Sequence, residues 1–218
     1  MVKLMKLLLE NWRKYLAEAD TNKLWVIAGP AGVGKTTRVL EPVKALGIPD
    51  LVTQDMDFIP AVEKASDKYI EDLKNLPKEE QEAGSPGVMR LSAAATPTVN
   101  VGINNFIKQN AGKDLFLVGI AWLHSPKQPF NFPPRTEKIY VYREPIEVGK
   151  SKFERDLSDE DKAKMTDEEK QSVIAGQAEI TEKDYKAYDE QGWVRKTADE
   201  IVDIVRSHYM GDTNETPT

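Results

Sequence analysis

The sequence predicts an α/β protein with a central, mostly parallel sheet of four to five strands and helices packed on it in three layers. Three observations predict it. Short apolar runs alternate with helical segments along the chain, the order that gives parallel strands joined by crossover helices. The strongest early run, Leu-Trp-Val-Ile-Ala at 24–28, leads straight into a glycine-rich loop that ends in Gly34-Lys35-Thr36-Thr37. The 218 residues are 40% hydrophobic, enough to fill the core of one ordinary domain.

The elements follow in order. Leu4, Leu8, Leu9, Trp12, Tyr15 and Leu16 keep helical spacing, so residues 3–18 read as an amphipathic helix, either packed on the protein's own sheet or offered to a partner. Residues 19–23 are a polar turn into the first strand. The helix after the glycine loop should run to about Leu46, with Pro42 kinking or shortening it. Gly47-Ile48-Pro49-Asp50 is turn chemistry. Residues 51–54 form a second strand that ends in Asp55-Met56-Asp57, and Pro60 opens a helix reaching Leu76. Residues 77–88, rich in Glu, Gly and Pro, read as an exposed loop. Residues 98–110 read as helix, and 114–120 as a buried strand. Four prolines make 125–135 a loop. A fourth strand covers 138–142. Residues 156–190 are acidic and poor in large apolar groups, hence helical but mostly solvated, or partly mobile. A last amphipathic helix spans 197–209, with Ile201, Ile204 and Val205 inward, before a tail at 211–218 that reads as disordered. There is no internal repeat.

The loop carries the chemistry. Gly29, Gly34, Lys35 and Thr36 fill the fixed positions of G-x-x-x-x-G-K-[ST]. Glycines let the backbone curl so that consecutive N–H groups point at phosphate oxygens, and the following helix N-terminus adds a favourable dipole. The cradle comprises Gly29, Pro30, Ala31, Gly32, Val33, Gly34, Lys35, Thr36 and Thr37. Lys35 can reach the β- and γ-phosphates of ATP, and the Thr36 hydroxyl can ligate Mg²⁺.

Composition removes other classes. With no cysteine there is no disulfide, thiolate metal site or cysteine nucleophile, and two histidines, His124 and His208, do not make a multi-histidine zinc site. A net charge of −6 opposes broad nucleic-acid binding without excluding a local basic groove. No apolar stretch approaches the roughly 20 residues that span a bilayer, and Glu10 interrupts the short apolar opening before it can act as a signal peptide. The expectation is a cytoplasmic protein that does not engage membranes.

The loop names a ligand and leaves the reaction open. A motor ATPase ends a buried strand with an acid, yet residues 115–120 run on through Ala121-Trp122 without one. A GTPase wants Asn-Lys-x-Asp, and the one Asn-Lys pair, Asn22-Lys23, precedes the loop and has Trp25 where Asp is needed. The acids lie instead after the second strand, in Gln54-Asp55-Met56-Asp57-Phe58. In this respect the chain resembles the small P-loop kinases, the shikimate-, gluconate- and nucleoside/nucleotide-kinase group of P-loop NTPases. The order of P-loop, Asp-x-Asp, glycine-bearing third strand, fourth strand, basic lid and C-terminal helix covers residues 24–209.

That resemblance implies a P-loop NTPase fold over residues 1–210, an acceptor-binding insertion at about 58–112 and a helical lid at about 146–190. It implies ATP and Mg²⁺ as nucleotide and cofactor. Asp55 takes the general-base or Mg²⁺-water role and Asp57 binds the acceptor hydroxyl, or the two exchange roles; alternatively both cap the next helix. Arg155 is the lid cation, against a plain surface ion pair. Arg90 holds an acidic group on the acceptor or is solvated, and Arg143 follows strand four at the same edge. Trp122 stacks on a base or sugar, or fills the core. His124 contacts phosphate or is a loop residue, and His208 complements a helix C-terminus.

The expected activity is transfer of the γ-phosphoryl group of Mg·ATP to a small molecule, a nucleoside or nucleotide in the first instance. Polynucleotide 5′-hydroxyl and zeta-toxin-like kinases also place an Asp after strand two, and Asp55-Met56-Asp57-Phe58 resembles that element; the chain's acidity makes nucleic acid the less favoured partner. A third reading is a nucleotide-binding switch or assembly factor. Acceptor identity, ATP against GTP and oligomeric state lie beyond the sequence.

Overall fold

The computed structural model describes residues 23–81, 85–119, 132–133 and 136–211. The helix expected at 3–18, Trp122, His124, most of the loop at 125–135 and the tail from 212 lie outside the described residues.

Five strands, β1 (Leu24–Ala28), β2 (Leu51–Asp55), β3 (Asp114–Val118), β4 (Glu137–Val141) and β5 (Val194–Lys196), form one sheet in the order β2-β3-β1-β4-β5. Every pairing is parallel. The central strands β1 and β3 are near-continuous apolar runs because both faces of the sheet are covered there. On one face Leu24, Val26, Ala28, Leu115, Leu117 and Tyr140 form a core with α2 (Pro60–Lys74), α3 (Pro86–Gln109) and α6 (Asp167–Glu190). On the other, Trp25, Ile27, Phe116, Val118, Ile139 and Val141 pack against α1 (Glu41–Ala45), α4 (Pro145–Asp156) and α7 (Ala198–Met210). The two-residue alternation along β1 and β3 sorts side chains to the two cores. This α/β arrangement is compatible with a three-layer fold.

The glycine loop joins β1 to a helix, as its sequence setting requires. That helix winds as a π-helix over Lys35–Leu40 and as α1 from Glu41. Pro42 accounts for the change: it has no N–H for the Arg38 carbonyl, and in a regular α-turn its ring would collide with that carbonyl. The helix continues to Ala45 all the same.

Two expectations are corrected and a third is refined. The segment at 77–88 is not one loop: it holds a 3₁₀ turn at Lys78–Glu80, and α3 begins within it at Pro86, well before residue 98. Ser85 caps α3, accepting from Val88 N at 3.3 Å, and Pro97 is carried inside the helix. Secondly, residues 156–190 are helical and mostly exposed, as expected, but carry one buried seam. Beyond the short α5 (Asp159–Lys164), α6 buries Ile174, Thr181, Tyr185 and Tyr188. Gly149 on α4 lets α6 approach closely, since a Cβ there would lie 2.5 Å from the Ile174 carbonyl oxygen. Thirdly, the edge strand β5 falls in a stretch that reads as no element.

Chain order and sheet order reverse at β1, which has β3 on one side and β4 on the other. In open parallel sheets ligands bind outside the carboxyl ends of strands at such a point. The glycine loop leaves β1 there.

Candidate functional site

The loop at 29–36 is held in backbone conformations that glycine adopts freely. Gly32 has φ +80°, and a Cβ on it would come within 2.9 Å of Lys152 Cγ. A side chain at 32 would therefore be strained and would push α4 off the loop. Val33, fully buried in the core, anchors the loop from below.

Lys35 folds over the loop. Its Nζ donates to the Gly29 carbonyl at 2.8 Å and to the Pro30 carbonyl at 3.1 Å. Loss of hydration around the enclosed ammonium pulls its pKa from 10.5 down to about 8. Asp57 and Asp55 oppose that fall, while Arg155 and Lys152 add to it. Five charged groups from three parts of the chain thus sense one another at the loop.

The acids arrive on β2. Asp55 ends the strand beside Val118 of β3 and is 8% exposed. Its Oδ2 accepts from Thr36 Oγ1 at 3.1 Å, and its Oδ1 accepts from Asp57 N at 3.1 Å. The second bond caps the 3₁₀ turn Met56–Phe58, so the capping role and the site role coexist in one carboxylate. Asp57 and Phe58 are exposed, Phe58 by 67%.

Gly119 follows β3 at φ +133° and donates its N–H to the Ile27 carbonyl at 3.1 Å. A Cβ there would sit 2.9 Å from Asp55 Oδ1. The bare backbone leaves the room that the carboxylate occupies.

Of the residues singled out from sequence, Lys35, Thr36, Asp55 and Asp57 converge, and Arg155 is near enough to depress the Lys35 ammonium. Arg155 lies on α4 and is also paired with Asp156, its Nη2 donating to Asp156 Oδ2 at 2.9 Å. Arg143 sits at the end of β4, where Tyr185 Oη accepts from its N–H at 3.0 Å and donates to its carbonyl at 2.9 Å. Its guanidinium turns to α4, donating to Ser151 Oγ at 2.8 Å, 3.6 Å from Glu147. Arg90 is engaged elsewhere, donating to Glu80 Oε2 at 2.6 Å on the exposed side of α3. Trp122 lies outside the described residues. His208 occupies the last turn of α7, as its position in the sequence implied.

Sequence reasoning missed Lys152. It is 7% exposed, its stem lies on Gly32, and burial lowers its pKa, with Asp184 opposing and Arg155 reinforcing the fall. A signal was present: Lys152 stands one helical turn before Arg155, on the same face of α4. Tyr188, fully buried on α6, lies near the backbone of Gly29, which offsets part of the effect of burial on its hydroxyl. Burial pushes its hydroxyl pKa far above the tyrosine range.

Among the described residues no group of three or more His, Cys, Asp or Glu could hold a metal ion on its own. The Thr36 hydroxyl and the Asp55 carboxylate are hard oxygen donors already 3.1 Å apart. That donor set fits Mg²⁺, which keeps several waters and takes one or two protein oxygens together with phosphate oxygens.

No protein-family model matches this chain, and no curated protein is significantly similar to it in sequence.

Proposed function

We propose that the protein is an ATP-dependent phosphotransferase that moves the γ-phosphoryl group of Mg·ATP to a hydroxyl or phosphate of a small molecule, with a nucleoside or nucleotide as the acceptor class. The observation that carries the reading is the 3.1 Å hydrogen bond from Thr36 to Asp55. It joins the residue after the loop lysine to a carboxylate on a different strand, where a P-loop enzyme needs both.

On this reading the loop amides and Lys35 hold the β- and γ-phosphates and neutralise charge that grows during in-line transfer. Thr36 and Asp55 would hold Mg²⁺, which would supply further charge neutralisation at the phosphates. Asp57, solvent-facing and two residues on, orients the acceptor hydroxyl and takes its proton. Phe58 supports a planar acceptor, because an exposed ring beside the carboxylate offers a stacking face. Arg155 and Lys152 bring positive charge from α4, and α4 to α6 form the lid that excludes water.

The test is ATP consumption by the purified protein against a panel of nucleosides, nucleotides, sugars and 5′-hydroxyl oligonucleotides. Acceptor-dependent turnover that disappears in Lys35→Ala is the expected result. Slow ATP hydrolysis indifferent to every acceptor would replace this reading by a nucleotide-dependent switch, and salt-sensitive turnover on oligonucleotides would move the acceptor to nucleic acid.

A further inference from the structure

We propose that the cavity between α4, α5 and α6 is an effector site for a small monocarboxylate, whose occupant competes with the nucleotide for the Lys152 ammonium. The cavity has a volume of about 180 Å³. Phe153, Leu157, Met165 and Val173 give it apolar walls, and Lys152, Asp156 and Gln177 are its polar groups. An apolar cavity of about 150 Å³ takes a benzene ring, so this one holds a short chain or a single ring and is too small for a nucleotide. Val173 is 37% exposed, so the cavity meets solvent beside it.

The polar groups decide the chemistry of the ligand. Asp156 is engaged, since both its oxygens accept from Arg155. Lys152 is not. It is 7% exposed, and among the described residues no hydrogen bond or ion pair closes on its ammonium; Asp184, Arg155 and Asp156 act on it through space. A buried ammonium without an acceptor is costly, and its N–H groups call for one. A carboxylate supplies charge-assisted hydrogen bonds while its hydrocarbon part leaves water for the apolar walls, and Gln177 adds an amide donor. Lys152 also connects the cavity to the glycine loop. Its Cγ lies 2.9 Å from where a Cβ on Gly32 would stand, and its charge is felt by Lys35. A carboxylate bound here neutralises a cation that the phosphates would use, so the two ligands weaken each other by the same factor. This competition rests on the phosphotransferase reading; occupancy of the cavity does not.

Hexanoate, hexanol and hexylammonium are titrated into the nucleotide-free, full-length protein and followed through the methyl resonances of Met165 and Val173. Hexanoate should shift them saturably, with hexanol bound at least about tenfold more weakly and hexylammonium more weakly still. Val173→Phe fills the cavity and should raise the hexanoate Kd at least about tenfold, whereas Val101→Phe, at a position 59% exposed on α3, should leave it unchanged. Lys152→Met should abolish the preference for hexanoate over hexanol. Shifts that never saturate, equal affinity for hexanoate and hexanol, or a hexanoate Kd indifferent to Val173→Phe overturn the site. In the unaltered protein, saturating hexanoate should raise the Kd of a non-hydrolysable ATP analogue about fivefold or more. An unchanged nucleotide Kd with hexanoate bound overturns the effector role. A protein that takes hexanoate and no ATP analogue would instead sink the phosphotransferase reading, and the competition with it, while the carboxylate site stands.

Discussion

Gly119 and Asp55 meet at a distance that admits no side chain: a Cβ on Gly119 would stand 2.9 Å from Asp55 Oδ1, 3.4 Å from Met56 N and 3.6 Å from Asp57 Cγ. Both acids are therefore shaped by a residue with no chemistry of its own. Gly119→Ala combines that overlap with a φ of +133°, a conformation that L side chains rarely adopt. The expected cost is about 1–3 kcal/mol of unfolding free energy, read by denaturant titration. Turnover should fall further than stability explains, because Asp55 must move away from Thr36. A folded variant with wild-type turnover would show that the position of Asp55 is not critical.

The two carboxylates separate by environment. Asp55 is buried and bonded to Thr36, whereas Asp57 is exposed. Asp57→Asn should lower acceptor-dependent turnover by about 10²–10⁴, as loss of a positioned base does, and leave nucleotide binding intact. Asp55→Asn should weaken the response to Mg²⁺ and the rate together. The Mg²⁺ concentration for half-maximal rate distinguishes them; near-normal rates in both variants would leave these acids as caps of the Met56–Phe58 turn.

Lys35 gives a pH signature. Its pKa in the fold, about 8, lies below the ordinary 10.5, so the charged form is disfavoured by folding. The folded state then binds fewer protons than the unfolded state between those values, and stability should rise with pH across that window. Lys35→Met should remove this rise. Polyphosphate binding reverses the balance, since anionic oxygens favour the ammonium. Nucleotide binding near pH 8.5 should take up a fraction of a proton, and affinity should decline above pH 8. Calorimetry in two buffers of different ionisation enthalpy measures the uptake. No uptake would mean that Lys35 keeps clear of the phosphates.

Lys152 predicts an order of effects among the α4 cations. Its buried stem rests on Gly32, whereas Arg155 is exposed and paired with Asp156. Lys152→Met should raise the nucleotide Kd about tenfold or more, the worth of a charge-assisted contact. It should also move the Lys35 midpoint upward, because one cation that depresses it is gone. Arg155→Met should raise the Kd less, yet move the Lys35 midpoint upward at least as far, because the guanidinium depresses that ammonium more strongly than Lys152 does. Equal or reversed effects on the Kd would place the working charge on Arg155.

Much of this fold was legible because it is local. The β1–loop–helix unit, the Asp after β2 and the runs of β3 and β4 are contiguous in sequence, and their periodicity needs no tertiary context. The start of α3 was not, because residues 86–97 include an alanine run and Pro97 and have no apolar stripe. At three residues, β5 is too short for alternation to register. The buried seam of α6 was readable in principle: Ile174, Thr181, Tyr185 and Tyr188 fall at i, i+7, i+11 and i+14, but the charges between them dilute the stripe. Lys152 is the instructive case. A lysine in a charged stretch reads as solvated, and its burial comes from Gly32 and the packing of α6 on α4, neither of which is near it in sequence.

The α4–α6 contact supplies a last pair of variants that share one chemistry and differ in surroundings. Gly149 lies under α6, where a Cβ would meet the Ile174 carbonyl oxygen at 2.5 Å and Ala178 N at 3.4 Å. Gly176 lies on α6 itself, where an added Cβ meets nothing within 4 Å. Gly176→Ala should stabilise the protein by about 0.5–1 kcal/mol, since glycine inside a helix costs entropy and alanine restores it. Gly149→Ala should cost about 1–3 kcal/mol, because backbone atoms must part to admit the methyl group. The parted helices also carry Lys152 away from Gly32 and open the site to water. Gly149→Ala should therefore raise the ratio of ATP hydrolysis to acceptor phosphorylation, while Gly176→Ala leaves it unchanged. Equal ratios in the two variants would show that the spacing of α4 and α6 does not govern water exclusion.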